Sequence, residues 1–235
     1  MPAFLLLPLL LLLSLLSGPS HRRIVGGAAV APTALAIDDD TIIGRGHFVH
    51  DWPAENPDGS VNAVIEIPSG TTGKLEVDEV DGKMHWRRDR DHGGRREVDY
   101  LPFPVNYGMV PRTLSDDGDP LDIIVLGRGF ERAHVAEVRV IGVLAMADEG
   151  GRDDKLITVP LEPALANGFT RLHELGELDE LYPALRTIVT LYFTHYWGEG
   201  RTEVLGWADV DEAELVLERA KLRYSVAHAT ATAVQ

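Results

Sequence analysis

Within seven residues, Asp116-Asp117-Gly118-Asp119-Pro120-Leu121-Asp122, the chain sets acidic side chains around one glycine and one proline. Gly118 admits a tight or left-handed backbone, and Pro120 fixes the turn that follows. Such a loop can aim Asp117, Asp119 and Asp122 at one point. Converging carboxylates repel unless a cation lies between them, so binding of a hard metal ion is one reading. A solvated Asp/Gly turn between two strands is the other. On these residues alone both stay open.

A second acidic stretch, Asp148-Glu149-Gly150-Gly151-Arg152-Asp153-Asp154-Lys155, joins two expected strands. It reads either as a solvated hairpin loop or as a loop whose closing lysine meets a phosphate as a point charge. Neither stretch has EF-hand spacing. The chain lacks a G-x-x-x-x-G-K-[ST] loop, a G-x-S-x-G elbow and an H-E-x-x-H pair. P-loop, α/β-hydrolase and zinc-protease chemistry are therefore unsupported. With no cysteine, thiolate catalysis, thiolate metal sites and disulfides are excluded. The formal net charge of −15 disfavours nucleic acid and anionic lipid as partners. An anionic substrate would need bound divalent cations to reverse the local field.

The 235 residues suffice for one domain with a real core. Strands are expected at Val61–Ile67, at Lys74–Val77 and Lys83–Trp86 around an Asp81-Gly82 turn, at Ile123–Leu126, at Glu137–Met146 and at Lys155–Val159. Helical spacing follows in Leu178, Leu181, Leu185, Ile188, Val189 and Tyr192. It returns over Asp211–Tyr224 with Leu215, Leu217 and Leu222, Asp211 serving as cap. Strands followed by helices indicate an α+β fold, a small barrel or curled sheet with helices packed on one side. Upstream, the apolar run Phe4–Leu16 is short for a membrane span and fits a secretory signal over residues 1–20, implying a periplasmic or secreted protein. A membrane anchor or a misplaced start, leaving a cytoplasmic protein, are the alternatives. Residues 21–57 read as a loosely patterned extension with a solvated turn at Asp38–Asp40, residues 58–228 as the folded domain, and 229–235 as a tail.

From Asp117 to Asp122 the first acidic run matches D-[SGDN]-D-[PE]-[LIVMF]-D, the signature of the family I soluble inorganic pyrophosphatases. It is joined in order by Glu66-Ile67-Pro68, Lys74-Leu75-Glu76-Val77-Asp78, Pro104-Val105-Asn106-Tyr107-Gly108, Gly142-Val143-Leu144, Asp153-Asp154-Lys155 and His195-Tyr196. The chain resembles that family from about Val61 to Trp207. The resemblance implies a five-stranded OB-like β-barrel with helices outside, Mg²⁺-dependent hydrolysis of pyrophosphate, and a homo-oligomer, commonly a hexamer in bacteria. It implies that Asp117, Asp119, Asp122, Asp148 and Asp153 hold the metal pair, with Glu66 and Glu76 as further acidic groups. Asp119 would deprotonate the attacking water and Tyr107 would lie beside it. Lys74, Arg88, Lys155 and Tyr196 would grip phosphate oxygens.

The chain departs from the family pattern at three places. Phe103 stands where a tyrosine is usual, and Trp197 where a lysine is usual. The segment Asp89–Asp99 is longer than expected, so Arg87, Arg90, Arg95 and Arg96 compete with Arg88 for the phosphate role. Trp197 is expected to be buried. The lost groups motivate an alternative, a weakened or inactive metal- or phosphate-binding relative, and a third reading, an enzyme for another phosphoanhydride.

Overall fold

The computed structural model describes residues 34–89, 93–148 and 151–232. The export segment at 1–20, the rival Arg90 and residues Glu149 and Gly150 of the second acidic loop lie outside the described residues. The strands are β1 (Ala34–Ala36), β2 (Thr41–Gly44), β3 (Val61–Ile67), β4 (Leu75–Val77), β5 (Met84–Trp86), β6 (Asn106–Met109), β7 (Asp122–Val125), β8 (Val135–Asp148), β9 (Gly151–Arg152), β10 (Lys155–Pro160) and β11 (Thr202–Ala208). The helices are α1 (Pro163–Ala166), α2 (Leu175–Leu181), α3 (Leu185–His195) and α4 (Val210–Thr232).

Pairing of β3 with β6, β6 with β7, β7 with β10, β10 with β8 and β8 back to β3 closes a ring of five strands. This is the OB-like barrel that the resemblance implied. The long β8 makes closure possible, because Val135–Val138 pair with β3 while Val138–Leu144 pair with β10. Its last part carries β11. Alternate residues of a strand serve different cores. Ile123 and Val125 pack with Ala213, Val216 and Leu217 of α4, whereas Ile124 and Leu126 pack with Leu178, Val189 and Phe193 of α2 and α3. β3, read as alternating, is buried at every position because α4 covers Val61, Ala63 and Ile65 on one face, while on the other Val64 packs with Phe48 and with Val77 and Met84 of the β4–β5 hairpin.

Several expectations need correction. Residues 34–44, placed in a loose extension, form β1 and β2 and extend the β4–β5 hairpin into a four-stranded sheet. β6 and β11 were not anticipated. The single helical pattern from Leu178 to Tyr192 is two helices, broken at Tyr182-Pro183 where proline's missing donor stops α2. On α4, Leu215 and Leu222 are exposed, and Val216, Ala213 and Ala220 pack inward with Leu217. Asp209 is the cap of α4, its carboxylate accepting the Glu212 N–H at 3.4 Å, while Asp211 lies inside the first turn.

Close approach fixes the strand that carries Tyr107. A Cβ at Gly108 would lie 1.9 Å from the Val64 carbonyl oxygen, so only glycine lets β6 meet β3. Beside it Asn106 is fully buried and makes four hydrogen bonds. Its amide donates to the carbonyls of Val125 and Arg128, and its oxygen accepts from the N–H groups of Ser69 and Phe130.

Candidate active site

The acidic run joins β6 to β7 and is folded by its own backbone. The Ser115 N–H donates to the Asp119 carbonyl (2.8 Å), Asp117 Oδ1 accepts the Asp119 N–H (3.1 Å), and Gly118 takes a φ of +97° that side chains disfavour. Arg223 of α4 pairs with Asp116 at 2.5 Å and holds it apart from the others. Asp117 and Asp119 stand exposed at the mouth of a cleft of about 670 Å³, and Asp122 lies deeper at the start of β7. Asp148, at the end of β8, and Asp153, before β10, complete an acidic floor.

Glu66 reaches the cleft through a register shift between Ile65 and Ile67 of β3, a bulge that re-aims a side chain. The hairpin β4–β5 and the segment after it supply the opposite wall: Lys74, Glu76, Glu79, Arg87, Arg88 and Arg96. Tyr107, Tyr196 and Trp197 also line the cleft. Every site residue expected from the sequence is thus brought to one place except Lys155, which is buried just behind it. The parallel register of β7 and β10 sets Lys155 opposite Asp122, and its Nζ bonds Asp122 Oδ2 (2.6 Å) and Asp153 Oδ1 (2.8 Å).

The charges are arranged unevenly. Burial, then the charge of Glu76, raises the Glu66 carboxyl well above its ordinary range; its Oε1 accepts the Val77 N–H at 2.7 Å. Burial also opposes ionisation of Glu76, but Lys74 (2.8 Å) and Arg87 (2.5 Å) override it and hold Glu76 down at about 2. Desolvation, then the neighbouring Glu79, pushes Asp119 up to about 6 against the pull of Arg87 at 3.8 Å. Burial lifts Asp153 to about 7 despite Lys155, with Asp122 and Asp148 adding repulsion. Burial raises Tyr107 well above the usual phenol range, and Asp122 and Asp153 reinforce it.

Among the described residues, no three Asp, Glu or His side chains stand close enough to hold an ion as they are. The reason is visible in the ion pairs, since the Lys155 ammonium sits between Asp122 and Asp153. The donor set nevertheless fits a hard divalent cation. It is made of carboxylate oxygens, and two of its members, Asp119 and Asp153, are driven toward protonation by burial and by neighbouring carboxylates.

Of the competing arginines, Arg87 is the one tied to both Glu76 and Asp119, while Arg88 also lines the cleft. Arg95 turns away, pairing with Asp40 at 2.6 Å and lying over Trp86. Glu79 was not anticipated; the signal available was its place beside Asp78 in the hairpin loop. Trp197, expected to be buried, is half-buried and faces the cleft. Phe103 does not line the cleft and packs against Tyr107, Tyr192, Phe193 and Tyr196.

Residues 63–225 match the family model described as inorganic pyrophosphatase. The chain is 39% identical over 170 residues to the inorganic pyrophosphatase of Rhodospirillum rubrum, covering 70% of this chain and 89% of that one. It is 35% identical over 181 residues to the inorganic pyrophosphatase of Agrobacterium fabrum, covering 72% and 93%. The structure of the inorganic pyrophosphatase from Helicobacter pylori superposes with a TM-score of 0.63 at 29% identity, covering 75% of this chain and 99% of that one. By family model, sequence and fold together, this chain belongs to the soluble inorganic pyrophosphatases.

Proposed function

We propose that the cleft hydrolyses pyrophosphate to two phosphates with Mg²⁺ as the required ion and Asp119 as the general base. The observation that carries this reading is the division of one cleft into an acidic floor, Asp117 to Asp153, and a basic wall, Lys74 to Arg96. A tetra-anion would be repelled by that floor alone, and would be drawn by the wall alone without any means to activate water. Magnesium, held by Asp117, Asp119, Asp122, Asp148 and Asp153, would neutralise the substrate and lower the pKa of a water molecule.

The chain's own groups supply the rest. Asp119, pushed up to about 6 by burial and then by Glu79 in the metal-free cleft, is placed to act as a proton acceptor near neutral pH. Glu76 stays anionic and holds Lys74 and Arg87 in place, so the wall presents its donors already oriented toward phosphate oxygens. Tyr107 keeps its phenol proton and can donate it as a hydrogen bond. Lys155 stabilises the two deep aspartates and reaches the substrate only if one of them turns to the ion. Burial raises Glu66 well above its ordinary range, so a part in ion binding would require its deprotonated form. Export behind residues 1–20 and assembly as a homo-oligomer belong to the same proposal; the mature N-terminus by mass spectrometry and the solution mass check them.

The departures at Phe103 and Trp197 leave every carboxylate of the floor and all four cations of the wall present, which favours an enzyme over an inactive binding relative. Asp119→Asn tests the assignment. The variant is expected to fold normally and lose about 10²–10⁴-fold in turnover of pyrophosphate. Full activity in that variant would sink the role of Asp119.

A further inference from the structure

The basic wall contains a cation that none of the matched motifs accounts for. Arg96 belongs to the segment that runs longer than the family pattern, yet its backbone is laced into the site. Its N–H donates to the Arg87 carbonyl (2.9 Å), and its own carbonyl accepts the Lys74 N–H (3.1 Å). The Arg87 N–H in turn donates to the Lys74 carbonyl at 2.9 Å. Three basic residues are therefore held side by side by main-chain bonds, not by their flexible side chains.

The side chain of Arg96 is oriented by a ring. Its guanidinium carbon lies 4.0 Å from the centre of the Trp197 indole. That indole is nearly parallel to Tyr196, at 4° and 5.9 Å, and Lys74 Nζ stands 5.3 Å from the same ring. All four residues line the cleft. An indole face attracts a guanidinium through its negative π surface. The planar donors of a guanidinium match two oxygens of one phosphate at once.

We propose that Arg96 is a phosphate-binding residue of this cleft and that Trp197 is the positioning residue that holds its guanidinium flat. The aromatic side chain at 197 is then the support for a cation delivered from the long segment, and the position has not simply lost a charge. The proposal rests on reading the cleft as a pyrophosphate site.

The test measures kcat and KM for pyrophosphate, and calorimetric affinity for imidodiphosphate in the presence of Mg²⁺, in Arg96→Ala, Trp197→Leu and Trp197→Phe. Unfolding curves confirm that each variant is folded. Arg96→Ala is expected to raise KM and weaken imidodiphosphate by about 10–100-fold with a smaller effect on kcat. Trp197→Leu should move both quantities the same way by roughly 3–30-fold, and Trp197→Phe should stay within about threefold of the wild type. Adding Trp197→Leu to Arg96→Ala should change little further, because the ring acts through the arginine. Unchanged KM and unchanged imidodiphosphate affinity in folded Arg96→Ala would overturn the proposal. A wild type that does not turn over pyrophosphate would defeat the functional reading instead. Imidodiphosphate affinity would then still decide on Arg96, a fall supporting the proposal and no fall overturning it.

Discussion

The metal-free protein is expected to lose stability as the pH rises from 5 to 8, and Mg²⁺ is expected to restore it. Asp153 drives the effect. Its folded value is about 7 against an ordinary 3.8, because burial and the nearby Asp122 and Asp148 outweigh Lys155. A carboxyl raised on folding contributes stability that is complete below its unfolded value and is lost as the pH climbs through its folded one. Three units at about 1.4 kcal/mol each set a ceiling of about 4 kcal/mol for this group, which is mostly buried. Asp119 acts in the same direction with a smaller effect, since its side chain is 56% exposed and screened by solvent. Glu76, at about 2, has the opposite sign: it favours folding above 4.5 and loses that contribution only as the pH falls toward 2, below the window considered. Urea titrations at pH 5, 6, 7 and 8 in chelator should therefore show a falling unfolding free energy that levels off near pH 8. The same titrations in Mg²⁺ should show a larger gain at pH 8 than at pH 5, because the ligands must be deprotonated to bind. Asp153→Asn should flatten the slope. A metal-free stability that is constant or rises from pH 5 to 8 would refute the reasoning.

Two further substitutions probe the frame around the site. Lys155→Met leaves Asp122 and Asp153 facing each other without a counter-charge; at pH 8 without metal it should destabilise by about 3–5 kcal/mol, and Mg²⁺ should narrow that gap, both read by urea unfolding. Asn106→Ala strands four backbone partners, those of Val125 and Phe130 in buried residues, and should lower stability by about 3 kcal/mol in the same assay, whatever the metal concentration.

The strands that bear the chemistry were legible because their signals are local. β8 and β10 are runs of β-branched residues, and Asp81-Gly82 marks a turn by composition alone. What escaped reading depends on partners far along the chain. β1 and β2 owe their order to β5, more than forty residues on, and carry no strong pattern of their own. β6, at Asn106–Met109, is short and contains a glycine, which weakens any strand signal; it exists because Gly108 lets the backbone meet Val64. The register of α4 was misread because its buried stripe is built on Ala213 and Ala220, which count little in a hydrophobic pattern.

At the site, sequence motifs named the carboxylates but not their charge states. That Glu66 is raised by burial while Glu76 is held low follows from which of them Lys74 and Arg87 pair with, a matter of three-dimensional placement. Likewise Trp197 reads as a core residue when seen beside Tyr196 in sequence. Only the long segment folding back between Lys74 and Arg87 turns it into a support for Arg96.

The most direct test of the central claim is the rate of phosphate release from pyrophosphate by the purified protein as Mg²⁺ is titrated from zero. The account predicts release that is absent in chelator, rises saturably with Mg²⁺ and collapses in Asp119→Asn. A folded protein that binds Mg²⁺ and releases no phosphate, or one that releases it equally well in chelator, would contradict it.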